Sequence, residues 1–165
     1  MKVITESNEN LRMETRRRIR QMKKEFNKEL VIKLFPNDER YDQIIAQVGI
    51  PFSALCEHHK VSFEGKCSIA YIPDQWLTGL SKFGRVVEYY LNPTVKTIQE
   101  RATHQILKAL NEALKPKGIM VIIKAKHNCI CYRGVKKPSL TITSAVAGAF
   151  AENAIARQEF LSLLK

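Results

Sequence analysis

A chain of 165 residues with 45% hydrophobic content is long enough for one domain with a buried core. No apolar run approaches the roughly 18 residues of a membrane span, and Met1 to Glu6 lacks the apolar stretch of a secretion signal, so the expectation is a cytoplasmic protein with no membrane partner. The net charge of +11 calls for an anionic partner, with dense basic clusters at Arg16-Arg17-Arg18 and between Lys115 and Lys137.

Glu9 to Glu29 reads as a helix, with Leu11, Ile19, Met22 and Phe26 recurring at helical spacing. Residues 1–29 are thus expected to form an N-terminal helical extension to a domain spanning 30–165. Leu30 to Phe35 is a strand-like run stopped by the turn residues Pro36-Asn37-Asp38. Tyr41 to Ile50 leads through Pro51 to Cys56-Glu57-His58-His59, and Val61 to Ile72 alternates as a strand that ends at Pro73-Asp74. A helix from Leu80 to Leu91 carries Phe83, Val86, Val87 and Tyr90 on its apolar side. Asn92-Pro93 breaks it, and Pro93 suits the first turn of a second helix running to Leu114, with Ile98, Ala102, Ile106, Ala109, Leu110 and Ala113 on one side. After Lys115-Pro116-Lys117-Gly118, Ile119 to Lys126 is a β-branched strand that Cys129 to Tyr132 continues. Leu140 to Val146 is the last strand and Gln158 to Leu164 a closing helix. This order predicts an α+β fold, an antiparallel sheet with helices on one face.

Half of the four cysteines and three of the four histidines sit in two short segments, Cys56-Glu57-His58-His59 and His127-Asn128-Cys129. Cysteine and histidine are the preferred zinc ligands, and three of them with an open fourth position make a catalytic rather than a structural centre. Cys56 and His59 are three apart, so one turn can place both on a metal. If residues 127–133 are extended, His127, Cys129, Cys131 and Arg133 share a face. Cys129 would then complete the zinc set, His127 would stand beside it as an acid or base, and Arg133 would add an anion contact. Cys131 is either a fourth ligand closing the site or a small packing residue.

These segments, together with Gly79-Leu80-Ser81-Lys82, Gln99-Glu100-Arg101, Arg133-Gly134, Ala70-Tyr71-Ile72-Pro73 and Thr143-Ser144, resemble the successive signatures of GTP cyclohydrolase I from about Leu11 onward. The resemblance implies a tunnelling fold. In that fold an antiparallel sheet is backed by two long helices, and sheets of several subunits join into a barrel, a pentamer stacked as a homodecamer. It implies that Cys56, His59 and Cys129 bind Zn2+, with Cys131 left to packing. It also implies hydrolysis of GTP to formate and 7,8-dihydroneopterin triphosphate by addition of a zinc-activated water at guanine C8. His127 then matches the acid near the imidazole ring of the base, His58 a histidine beside the ribose ring oxygen, and Ser81 a serine of the later sugar rearrangement. Glu100 matches the carboxylate that reads guanine, accepting from N1–H and the 2-amino group, with Gln99 beside it as a substrate residue. Lys82, Arg85, Arg133 and Arg18 match triphosphate contacts. Arg16 replaces a proline of the family pattern, Gln21 a lysine and Thr97 a glutamine.

Two other functions are open on the residues. A related tunnelling-fold enzyme, such as the nitrile reductase of deazaguanine synthesis, needs a lone nucleophilic cysteine and its own glutamate–lysine motif, and neither is evident. A basic zinc module for nucleic acid would use Cys131 as a fourth ligand. The aromatics sit in apolar patterns, as in Val86-Val87-Glu88-Tyr89-Tyr90, instead of interleaving with the basic residues, which speaks against nucleic acid, and the resemblance implies GTP as the partner.

Overall fold

A computed structural model describes residues 32–164. The helix expected at 9–29, the extension of residues 1–29 and Arg18 lie outside the described residues. The frame is α+β. A mixed sheet runs in the order β5-β2-β3-β6-β7: β2 (Ile45–Cys56), β3 (Ser62–Ile72), β5 (Lys96–Thr97), β6 (Gly118–His127) and β7 (Leu140–Gly148). A small second sheet pairs β1 (Leu34–Pro36) with β4 (Trp76–Thr78). The expected antiparallel pairing holds from β2 to β7, but β5 lies parallel to β2, with Leu55 opposite Lys96 and Cys56 opposite Thr97.

That short strand corrects the expected start of the second long helix. Pro93 does not open it: residues 96–97 are held in the sheet and Ile98 stays extended (φ −107°, ψ 149°). The helices are α1 (Ser81–Tyr90) and α2 (Gln99–Leu114), followed by the single turns α3 (Asn128–Cys131) and α4 (Ala149–Glu152), and by α5 (Ala154–Ser162). None of the helices among the described residues is long and apolar enough to cross a membrane.

One face of the sheet is buried under α1 and α2. Ile106, Leu110 and Leu114 of α2 are fully buried, as are Ile69, Val121, Ile123 and Ala125 of the strands. Phe83 of α1 meets Tyr71 with ring centroids 5.7 Å apart. The opposite face divides. Ala70, Met120 and Ile122 are covered by Phe150 and Phe160 of α4 and α5, while Glu64, Lys66, Lys124 and Lys126 of the same face stay exposed. The two long helices α1 and α2 thus share one face, as expected, and α4 and α5 cover part of the other.

A β-bulge decides which side chains of β2 reach the buried face. Gln47 pairs with Ile69 and Ile50 with Cys67, so Val48 and Gly49 together oppose Ser68. Gly49 takes φ +76°, which a side chain resists, and its N–H donates to Ser68 Oγ at 3.1 Å. A one-residue change of register turns every following side chain over. The bulge thus brings Ile50, Phe52, Ala54 and Cys56 onto the face that Ile45 and Gln47 share. Pro51 lies within this strand. It faces Lys66 of β3, and β2 takes up its other neighbour, β5, only at Leu55 and Cys56, so the missing N–H of Pro51 costs no ladder bond.

Candidate metal centre

β2, β3 and β6 are neighbours, and the C-terminal ends of β2 and β6 flank the start of β3. The loop joining β2 to β3 closes tightly: Cys56 N–H donates to Val61 O at 2.9 Å and Lys60 N–H donates to Cys56 O at 2.8 Å. Lys60 adopts φ +55° to make the turn. This folds His59 back over Cys56. On the far side of β3, His127 opposite Phe63 is the last residue of β6.

The chain then coils into α3 instead of continuing extended, which corrects the row expected for residues 127–133. Asn128 fastens the coil by donating from Nδ2 to Ser62 Oγ at 2.8 Å, and its carbonyl accepts from Tyr132 N–H at 3.0 Å. Two residues apart on a helical turn, Cys129 and Cys131 point in divergent directions. Cys131 is buried and outside the donor cluster.

Strands two apart in a sheet are separated by about 9.5 Å. The hairpin loop and the α3 turn close that gap, and the donor atoms of Cys56, His59 and Cys129 all lie within 4.8 Å of one another. Donors on a tetrahedral zinc stand roughly 3.3–3.8 Å apart, given bonds of about 2.0–2.3 Å. Small side-chain adjustments would therefore seat the ion. Two thiols and one imidazole are a zinc-type donor set, and three donors leave a coordination position open. Burial, and next the neighbouring Cys56, push the Cys129 thiol above its ordinary range.

His127 stands beside this cluster, stacked on Phe63 with ring centroids 4.6 Å apart and planes 4° from parallel. Burial lowers its pKa, and the Glu100 carboxylate on the first turn of α2 works in the opposite direction. Its Nε2 lies 2.7 Å from Gln99 Oε1. The expected substrate residue Gln99 is 1% exposed, and both ends of its amide engage the protein's own groups. His58 is exposed beside His59, ring centroids 6.3 Å apart. Arg133 lies on the exposed segment after α3.

Ser81, Lys82 and Arg85 begin α1, whose Phe83 packs on Tyr71. Tyr71 is eight residues along β3 from Phe63, or roughly 26 Å at about 3.3 Å per residue. Within one chain these three residues therefore sit at the opposite end of the sheet from the cysteine–histidine cluster.

Several contributors were not singled out in the sequence. Arg101, one residue after Glu100, forms an ion pair with Glu57 and ties α2 to the metal loop. Phe63 underlies His127, and Thr103 and Thr143 surround Gln99. Arg101 and Thr143 lie in motifs that carry the family resemblance, while Phe63 becomes visible only through strand register and Thr103 only as the residue one helical turn after Gln99.

The chain is thus an α+β domain whose Cys56, His59 and Cys129 could hold a metal ion, with His127 close by in sequence. The sequence matches the family described as GTP cyclohydrolase I over residues 3–165. The GTP cyclohydrolase 1 of Aquifex aeolicus is 43% identical over 156 residues, covering 92% of this chain and 83% of the relative. The GTP cyclohydrolase 1 of Gloeobacter violaceus is 44% identical over 128 residues, and that of Dictyostelium discoideum 44% over 129. The matched stretch spans 59% and 55% of those two proteins' own lengths. A solved archaeosine synthase QueF-Like in the apo form overlaps 64% of this chain and 93% of its own at a TM-score of 0.45 and 18% identity, a likeness too loose to bear on fold or function. The chain belongs to the GTP cyclohydrolase I family.

Proposed function

We propose that this protein is a GTP cyclohydrolase I. It hydrolyses GTP at guanine C8, releases formate and forms 7,8-dihydroneopterin triphosphate. The observation that carries the reading is the convergence of Cys56, His59 and Cys129, from segments about seventy residues apart in sequence, to within 4.8 Å. Zinc held there supplies Lewis-acid activation of water near neutral pH. Glu100, exposed on the first turn of α2, accepts from guanine N1–H and the 2-amino group, a donor pair that adenine lacks. With the base held there, His127 moves a proton to and from the imidazole ring opened at C8, and the exposed His58 serves the ribose. Lys82, Arg85 and Arg133, with Arg18, neutralise the triphosphate, and Ser81 acts in the sugar rearrangement.

The separation of α1's first turn from the metal cluster supports a site shared between copies, with Ser81, Lys82 and Arg85 supplied by another subunit. That is the assembly of a tunnelling-fold barrel, a decamer of two pentamers. All four cysteines are free, which suits the reducing cytoplasm. A closed, four-ligand site for nucleic acid has less support, since Cys131 stands outside the cluster.

The metal ligands test the reading together with the turnover. His59→Ala and Cys129→Ala should each lose most bound zinc and drop formate release from GTP by at least about a hundredfold. Full turnover by zinc-free protein would refute it.

A further inference from the structure

Gln99 Nε2 lies 3.1 Å from Ile123 O, 3.2 Å from Thr141 O and 3.1 Å from Thr143 Oγ1. The first two are carbonyl oxygens, which only accept, so the amide atom that faces them must be the nitrogen. With the amide turned over, Oε1 would face two carbonyl oxygens inside the protein, acceptor against acceptor. The threonines agree with this orientation. Thr103 Oγ1 donates to Gln99 O at 2.7 Å, so Thr143 is the donor in the 2.7 Å Thr103–Thr143 contact. Its proton being engaged there, Thr143 Oγ1 accepts from Gln99 Nε2.

The other end of the amide follows. Oε1 faces His127 Nε2 at 2.7 Å and can only accept, so His127 Nε2 carries a hydrogen and donates it. In a neutral imidazole Nδ1 then keeps the lone pair. Phe63, stacked 4° from parallel, holds the ring plane while this bond forms.

We propose that Gln99 is a positioning residue: it fixes neutral His127 as the Nε2–H tautomer, which leaves Nδ1 as the acceptor nitrogen of the ring. The catalytic use of Nδ1 rests on the cyclohydrolase reading, whereas the tautomer does not. Gln99 has been grouped above with the substrate residues by resemblance, and the internal bonds of its amide leave it no free donor for a base.

The test uses zinc-loaded, full-length protein labelled with 15N-histidine, at alkaline pH where the imidazoles are neutral, with the His127 signals identified by their loss in His127→Gln. The expected spectrum has a protonated Nε2 and a bare Nδ1 for His127. A protonated Nδ1, or fast averaging of both tautomers, overturns the proposal. In the near-isosteric Gln99→Met, averaging should appear and kcat for GTP should fall by about tenfold or more, with KM changed less than about threefold. A raised KM with kcat intact makes Gln99 a substrate reader and also overturns it. If wild-type protein releases no formate from GTP, the cyclohydrolase reading fails while the wild-type spectrum still decides the tautomer. That spectrum likewise decides if Gln99→Met does not fold.

Discussion

The four cysteines of this chain have distinct environments. Cys56 and Cys129 meet at the metal cluster, Cys131 packs behind it, and Cys67 lies fully buried in β3. Burial pushes the Cys67 thiol up to about 12. It should therefore resist a maleimide or disulfide reagent at neutral pH in the native protein and react only on unfolding, as mass spectrometry of labelled peptides would reveal. The Arg101–Glu57 pair is half-exposed at both ends, so Arg101→Ala should cost folding less than about 1 kcal/mol. Its larger effect should be a several-fold weaker hold on zinc, measured by chelator competition, because the pair anchors the loop that carries His59. The candidate metal donors were legible as residues because two short segments together, Cys56-Glu57-His58-His59 and His127-Asn128-Cys129, hold half of the cysteines and three of the four histidines. The setting of Gln99 was not. The partners of its amide come from β6 and β7, and only the register of those strands brings them together.

Among the elements, the β2 bulge and the α3 turn do most to assemble the centre, and neither was read from the sequence. The stretch from Tyr41 through Pro51 to Cys56 was given no strand, yet β2 runs from Ile45 to Cys56, and at Pro51 it has an open side that tolerates proline. Cys129 to Tyr132 read as a continuation of β6 because the residues are apolar, although the Asn128–Ser62 bond and the turn bonds favour coiling there. Long periodic segments were legible: β3, α1 and β7 lie within two residues of their expected bounds. Gly49→Ala should lower stability by about 1–2 kcal/mol through its left-handed backbone and loosen the placement of Cys56. Gly65→Ala should be worse, by about 3 kcal/mol or more, because an added Cβ would fall 2.0 Å from Lys124 O across the β3–β6 pair. Denaturant midpoints of the two variants check both the order and the size.

For the whole molecule, charge and the proposed division of the site between copies are the informative properties. A net charge of +11 suited nucleic acid, a membrane surface or a phosphorylated small molecule equally well, and composition alone could not choose. Triphosphate binding makes a specific demand: KM for GTP should rise severalfold as salt increases from low to about molar concentration, with kcat affected less. Division of the site between copies makes another. Cys129→Ala lacks one half of such a site and a Lys82→Ala/Arg85→Ala chain the other, so mixing the two inactive proteins under conditions of subunit exchange should restore part of the turnover. No recovery, with exchange verified by mass, would place the whole site within one chain. The reaction itself is tested most directly with GTP carrying 13C at C8. A cyclohydrolase releases that carbon as labelled formate in equal amount to dihydroneopterin triphosphate, and only when zinc is bound. Intact GTP after prolonged incubation with zinc-loaded protein, or label retained in the purine, would contradict the assignment.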